Sequence, residues 1–321
     1  MIAFGPIPSR RLGRSLGVNN IPPKICSYSC VYCQVGLTDT MSVERKEFYP
    51  PDEIVYEVFE RVNKLKNSDE KIDYISFVPD GEPTLDINLG NIIQRLKPLG
   101  VKIAVITNSS LLWEKKVRDD LLNADWVSVK IDTTDNRAWE KINRPYGKLD
   151  LQTVLNGIKT FRNSFDGTLV TETMLVNGIN DNEDSLINTA KFISNLNADK
   201  SYILVPTRPP AEKFIEPPLE EKLNEAYQLF NSRINNVELL TGAGDVDFTY
   251  SSDVEKELLS ILAVHPMSFE AVESFLSKAK ADWQLIESLI HKNILKEVEY
   301  SENKFLVRNI KHKIDVEKSL N

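Results

Sequence analysis

Cysteine is nearly missing from this sequence: there are three in 321 residues, and all fall within eight consecutive positions, Cys26, Cys30 and Cys33. A disulfide framework pairs its cysteines and spreads them along the chain, so that architecture is excluded. Histidine is as scarce. His265, His291 and His312 are the three, and all lie in the last quarter. Chemistry in the larger N-terminal part therefore proceeds without an imidazole base or ligand of its own. No apolar run approaches the roughly 20 residues that span a bilayer. The opening segment also lacks an apolar core of signal-peptide length, so the sequence reads as cytoplasmic with no membrane attachment. Basic residues are in deficit, 39 against 47 acids, for a formal charge of -8. That balance argues against a dedicated nucleic-acid binder, whose phosphate contacts need a basic face. There is one local exception. Arg10, Arg11, Arg14 and Lys24 precede the first acid, as either a basic patch or a solvated loop.

What is present fits a globular chain, with 41% hydrophobic and 27% charged residues, long enough for one large α/β domain and a small appendage. From about residue 50 to 240 the pattern alternates. Apolar spacing predicts helices over 50–65, 87–96, 113–123, 135–143, 151–163, 182–196 and 219–232. Between them, β-rich runs cover 72–78, 101–107, 126–131, 168–176 and 201–205, after an earlier strand at 15–18. Such alternation implies βαβ units around a parallel sheet, either a partial barrel or an open doubly wound sheet. Both gather their functional loops at the C-terminal strand ends. After the glycines at 242 and 244 the pattern changes to three helices (254–264, 269–277 and 282–292) and a hairpin, 294–298 with 304–308. That order describes a winged helix-turn-helix, giving domains at 1–243 and 244–321.

The cysteines have the spacing C-x3-C-x2-C, in Cys26-Ser-Tyr-Ser-Cys30-Val-Tyr-Cys33. Soft thiolates this close wrap a loop around a metal centre. Structural zinc requires four protein ligands, and neither a fourth cysteine nor a nearby histidine exists. Three thiolates on a [4Fe-4S] cluster leave one iron open to a small molecule, which makes the site catalytic.

With aromatic Tyr32 just before the third cysteine, this segment resembles the defining motif of the radical S-adenosylmethionine (SAM) superfamily. The resemblance implies a partial (β/α)6, TIM-like barrel and SAM chelated to the open iron. It also implies reductive cleavage of SAM to a 5′-deoxyadenosyl radical, and hydrogen abstraction from a substrate. The run from Phe4 through Arg208-Pro-Pro210, about two-thirds of the chain, is similar to one subgroup, the Fe–S oxidoreductases related to wybutosine-synthesizing enzymes. Those carry further cysteines for a second cluster. None is left over here, so their pyruvate-condensing reaction is not expected of this chain. The resemblance further implies a reductant such as ferredoxin or flavodoxin, and oxygen sensitivity.

Other strand ends supply candidate SAM contacts. Pro79-Asp80-Gly81-Glu82-Pro83-Thr84 resembles the family's glycine-glycine-glutamate segment, with Asp80 in place of the first glycine. Gly81 permits close backbone approach, and Glu82 accepts from an ammonium. Asn108, in Thr107-Asn108-Ser109-Ser110, offers polar groups to SAM or substrate. Ser128, Lys130 and Asp132 alternate at a strand end and face one way. There the resemblance implies SAM ribose and carboxylate contacts by Lys130 and Asp132, with Ser128 behind; a buried Lys–Asp pair is the structural alternative. Glu172, an acid in an apolar run, needs a partner, and the SAM sulfonium is one. Arg144 and Arg208 are candidate binders of phosphate or carboxylate. The substrate stays open among an RNA base, a peptide or protein residue, and a metabolite. From residue 251 onward ten basic residues face twelve acids, which favours peptide contact or packing against the barrel over nucleic acid. The alternative class is a winged-helix regulator whose Fe–S cluster senses oxygen or iron; a sensor needs no SAM pocket.

Overall fold

The computed structural model describes residues 2–67, 70–241, 253–264, 266–300 and 303–309. The expected linker glycines at 242 and 244, His265, His312 and the tip of the last hairpin lie outside these.

Ten strands precede the C-terminal unit: β1 (Ala3–Ser9), β2 (Gly13–Val18), β3 (Ile25–Cys26), β4 (Thr40–Met41), β5 (Tyr74–Phe77), β6 (Lys102–Thr107), β7 (Trp126–Lys130), β8 (Thr168–Met174), β9 (Lys200–Leu204) and β10 (Val237–Leu240). Interleaved are helices α1 (Pro51–Asn67), α2 (Leu89–Leu96), α3 (Lys115–Leu121), α4 (Asn136–Asn143), α5 (Leu151–Arg162), α6 (Glu183–Ser194) and α7 (Glu220–Asn231). The main sheet runs β1-β2-β5-β6-β7-β8-β9-β10. From β2 to β10 every pairing is parallel; β1 alone is antiparallel, against β2. The six strands read from the pattern are the inner six. The fold is α/β with a mostly parallel sheet, as a partial barrel requires.

Helix starts follow the side chains at their N-termini. Asp135, Asp150 and Asn182 each accept from the N–H three residues on, which satisfies donors the helix cannot. The main core lies between these helices and one face of the sheet, with Ile54, Val58, Ile92, Ile103, Val127, Ile158 and Ile193 buried. A smaller cluster sits on the other face. Leu12, in the β1–β2 turn, packs with Ala104, Trp126, Val170, Tyr202 and Leu240, one residue from each of β6 to β10. The turn therefore lies inside the curve of the sheet, and it delivers Arg10 and Arg11 there.

The C-terminal unit orders α8 (Val254–Val264), β11 (Met267–Ser268), α9 (Phe269–Ala279), α10 (Gln284–His291), β12 (Leu295–Tyr300) and β13 (Asn303–Arg308). Its sheet is antiparallel, β11-β13-β12, over a separate core of Leu258, Ile261, Phe275, Ile286 and Leu306. Ser268 accepts from Ala271 N–H at the start of α9, where the sequence placed a cap. The unit is joined to the rest by contacts of α8 with β1, by Ile7 against its core, by the pair Arg61–Glu257, and by Tyr300 Oη donating to Pro206 O at 3.2 Å.

Candidate cofactor and substrate cavity

One cavity of about 410 Å³ opens on the unfilled side of the sheet, and Cys26, Cys30 and Cys33 all line it. The cysteine loop is held by backbone bonds from opposite directions. Glu82 N–H donates to Ile25 O at 3.1 Å, Val31 N–H to Ile142 O at 2.9 Å and Tyr146 N–H to Ser27 O at 2.9 Å. The amides of Asn108 and Asn143 approach the sulfurs of Cys26 and Cys30, each at 3.4 Å, and N–H groups there favour thiolate charge. Without a metal the thiols are poor anions: burial first, then neighbouring acids, pushes Cys30 up to about 12 and raises Cys26 and Cys33. A bound cation removes those protons. Three cysteines line one cavity and the chain has no fourth, a donor set that fits a [4Fe-4S] cluster with one open iron better than a structural zinc site, which takes four protein ligands.

Gly81 does make a close approach, but to protein. A Cβ there would lie 2.0 Å from Ile25 O, so the residue seats the cluster loop on the loop after β5. Glu82, 1% exposed, lines the cavity yet is heavily committed. One carboxylate oxygen accepts from Thr84 N–H (3.1 Å), Thr84 Oγ1 (2.6 Å) and Thr107 Oγ1 (2.6 Å), the other from Asn108 N–H (2.7 Å). Burial still raises its pKa above the ordinary range, and these bonds only partly offset that. Asp80 is the more available acid. It is buried and lines the cavity, and among the described residues its Oδ1 has no hydrogen-bond partner. Burial pushes it up to about 7 against the pull of Arg308 and Lys24.

Across the cavity, Lys130 and Glu172 are register partners on β7 and β8. Glu172, 2% exposed, has the partner that the sequence demanded. It is Arg11, from the β1–β2 turn, joined by Ser128 Oγ at 2.7 Å and Lys130 Nζ at 4.0 Å. Burial alone would raise its carboxyl; Arg11 and Lys130 hold it below the usual range. Burial likewise opposes the Lys130 charge, but Asp132 and Glu172 keep its pKa raised. Its ammonium sits 5.1 Å above the Tyr32 ring, a cation–π contact.

Asp132 and Ser128 do not reach the cavity wall. Asp132 accepts from Tyr32 Oη, Asn143 Nδ2 at 2.7 Å and Met174 N–H at 2.9 Å. It thus braces the residues beside Cys30 instead of facing a ligand, and no Lys130–Asp132 ion pair forms. Asn108 is spent similarly, on Cys26, Ser27 and the Ser110 N–H. Arg144 pairs with Glu212, off the cavity, whereas Arg208 lines it beside Arg10 and Arg11. Sequence reading missed Asn143 and the Arg11–Glu172 pair; the early basic run was the signal for Arg11. The acid-free N-terminal arginines are mostly not a solvated loop, since Arg14 too is paired, with Glu70.

Among the described residues no helix is long and apolar enough to cross a membrane. A family model described as Radical SAM superfamily matches residues 20–193, a span that contains the cysteines, Gly81–Glu82, Lys130 and Glu172. The UPF0026 protein MJ1312 of Methanocaldococcus jannaschii is 46% identical over 312 residues, 97% of each chain. Two solved structures share the fold at 15% identity. A radical SAM methyltransferase from Sphaerobacter thermophilus has TM-score 0.52, covering 72% of this chain and 67% of its own. Streptococcus suis SuiB bound to S-adenosylmethionine has TM-score 0.51, covering 70% and 51%.

Proposed function

This chain belongs to the radical SAM superfamily, whose cofactors are a [4Fe-4S] cluster and SAM, and from that premise we propose that its cavity is where SAM is cleaved and the substrate's hydrogen abstracted. When bound, the reduced cluster supplies an electron to SAM, yielding methionine and a 5′-deoxyadenosyl radical that takes a hydrogen atom from the substrate.

The carrying observation is that three cysteines of one loop, a buried carboxylate whose Oδ1 has no partner among the described residues, and the half-buried Lys130 line a single cavity. Cys26, Cys30 and Cys33 would hold the cluster. Asp80, with Glu82 behind it, is the acceptor for the SAM ammonium, and Lys130 the partner for its carboxylate or ribose. Ser128 and Asp132 act one layer back, fixing Glu172 and Tyr32, while Asn108 fixes Cys26 from the cavity wall. Arg11 already balances Glu172, which leaves the sulfonium no claim on that acid. We place the chain beside the wybutosine-related oxidoreductases, by the Phe4–Gly17 segment, without their second cluster. The order of α8 to β13 supports a winged helix as the second domain of 244–321, and its acidic balance supports packing or peptide contact. A redox-sensor reading accounts for the cysteines but not for Asp80 and Lys130.

Equilibrium dialysis of labelled SAM against the anaerobically reconstituted protein tests the assignment. Asp80→Ala is expected to weaken SAM binding roughly tenfold, which corresponds to about 1.4 kcal/mol. Adding SAM to the reduced wild-type protein is expected to change its electron paramagnetic resonance spectrum. An unchanged spectrum, with equal affinity in the variant, would contradict the reading.

A further inference from the structure

Lys24 holds a backbone conformation that lysine rarely adopts. Its φ is 61°, in the left-handed region where glycine is at ease and a side chain is strained. Bonds on both sides fix it there. Its N–H donates to Asp80 O at 2.7 Å, and its carbonyl accepts from the N–H groups of Asp39 and Thr40, each at 3.1 Å. The residue thus ties the loop after β5 to the chain that leaves the cysteines, and it is only 5% exposed. Its side chain lines the cavity. The Nζ lies 3.0 Å from where a Cβ on Gly36 would stand, and the Gly36 N–H donates to Cys33 O at 3.1 Å. A strained conformation and a buried cationic side chain both cost stability, and glycine at this position would avoid both. Lysine here serves something other than the fold.

We infer that the Lys24 ammonium, held beside the Cys33 segment, raises the reduction potential of the bound cluster, so that the cluster accepts an electron that the surrounding acids would otherwise repel. The inference rests on the reading of Cys26, Cys30 and Cys33 as cluster ligands and adds to it a residue that tunes the potential. Reduction takes one electron from an external one-electron donor, releases no group and adds one negative charge among the thiolates. Each cysteine already has an acid near it: Glu82 for Cys26, Asp132 for Cys30 and Asp80 for Cys33. Each also has a positive counterpart. Amide N–H dipoles of Asn108 and Asn143 meet Cys26 and Cys30 at 3.4 Å, whereas Cys33 has the full charge of Lys24. Lys130 reaches Cys30 and Cys33 as well, but Glu172 at 4.0 Å and the Tyr32 ring share its charge. Asp39 and Asp80 attract Lys24, and Lys296 of β12 repels it. Hydrogen bonds and charge around the sulfurs set the potential of such a cluster, and a fixed cation acts more strongly in a buried site than in water.

A redox titration of the reconstituted full-length protein without SAM, followed by electron paramagnetic resonance, tests this. At a fixed applied potential the ratio of reduced to oxidised cluster is expected to fall about tenfold in Lys24→Met, which is a midpoint about 59 mV lower for one electron. Lys24→Arg keeps the charge and is expected to keep the wild-type midpoint. Lys222→Met, which alters an exposed lysine of α7, is expected to leave it unchanged. Lys24→Gly suits the positive φ and removes the same charge, so it serves as the test if the methionine variant fails to fold; its midpoint is expected to fall equally. An unshifted midpoint in both Lys24→Met and Lys24→Gly, or an equal fall in Lys24→Arg or Lys222→Met, overturns the inference. SAM takes no part in the titration, so the two readings fail separately. SAM left intact beside a shifted midpoint counts against the radical reading alone, and SAM cleaved beside an unshifted midpoint counts against this inference alone.

Discussion

At Gly81 a single missing methyl group positions the cluster loop. An alanine Cβ would meet the Ile25 carbonyl at 2.0 Å, and neither backbone can yield without shifting Cys26. Gly81→Ala is expected to cost about 3 kcal/mol, typical of overpacking against rigid neighbours, and to reduce iron retained after reconstitution to under half. Iron analysis checks it; wild-type iron content would refute it. Arg11 tests the buried charge. Removing it leaves Glu172 with Lys130 alone, and breaking a buried pair costs about 3 kcal/mol at neutral pH. Because Glu172 is held below the usual carboxylate range, the stability it contributes is present above about pH 4.5 and fades as pH falls through its lowered value. In Arg11→Gln its pKa rises instead, so the variant loses stability as pH rises from acid towards neutral. Melting curves should therefore diverge at pH 7 and converge as the pH falls through the lowered value of the Glu172 carboxyl, and a gap independent of pH would contradict the pair. These residues differ in legibility. The cysteines were readable because their spacing is local. Glu172 was readable as a charge needing a partner, but Arg11 lies 161 positions away, and no periodicity carries that distance. Asp132 alternates with Lys130 in sequence, yet it lies beyond the end of β7, where strand alternation no longer sets the direction of a side chain.

Among the elements, the six inner strands were legible because strands buried on both faces read as short apolar runs. The edges were not. β1 carries Pro6 and Pro8, which are tolerable on an edge strand but weaken a strand pattern, and β10 has only four residues. β11 has two residues, and only its pairing with β13 makes it a strand. Helix interiors offer a sharper test. Gly157 lies within α5, where alanine would gain about 1 kcal/mol in helix propensity. Its Cβ would sit 2.4 Å from Trp113 N and 2.5 Å from Leu112 C, both backbone atoms. Packing wins, so Gly157→Ala is expected to destabilise by about 2 kcal/mol net, read by denaturant titration; a stabilised variant would show that α5 can shift outward.

On the scale of the whole molecule, the curved sheet gathers into one cavity residues from both its edges and from the β1–β2 turn. Topology accounts for this, and only the resemblance to a known superfamily made it foreseeable. The C-terminal unit is fastened through Tyr300 to Pro206, which lines the cavity, and, away from the cavity, through Glu257 to Arg61 of α1. Arg61→Ala is expected to speed hydrogen exchange in α8 and β13 while leaving β6 to β9 protected. Uniform acceleration would show that the pair supports the whole fold instead.

The Cys26–Cys33 loop, in this reading, builds a cluster that cleaves SAM. Its most direct test is to reconstitute the protein anaerobically with iron and sulfide, add SAM and dithionite, and quantify 5′-deoxyadenosine. 5′-Deoxyadenosine is expected to form with the wild type and to be absent with Cys30→Ala. A cluster that assembles in the wild type and leaves SAM intact would contradict it.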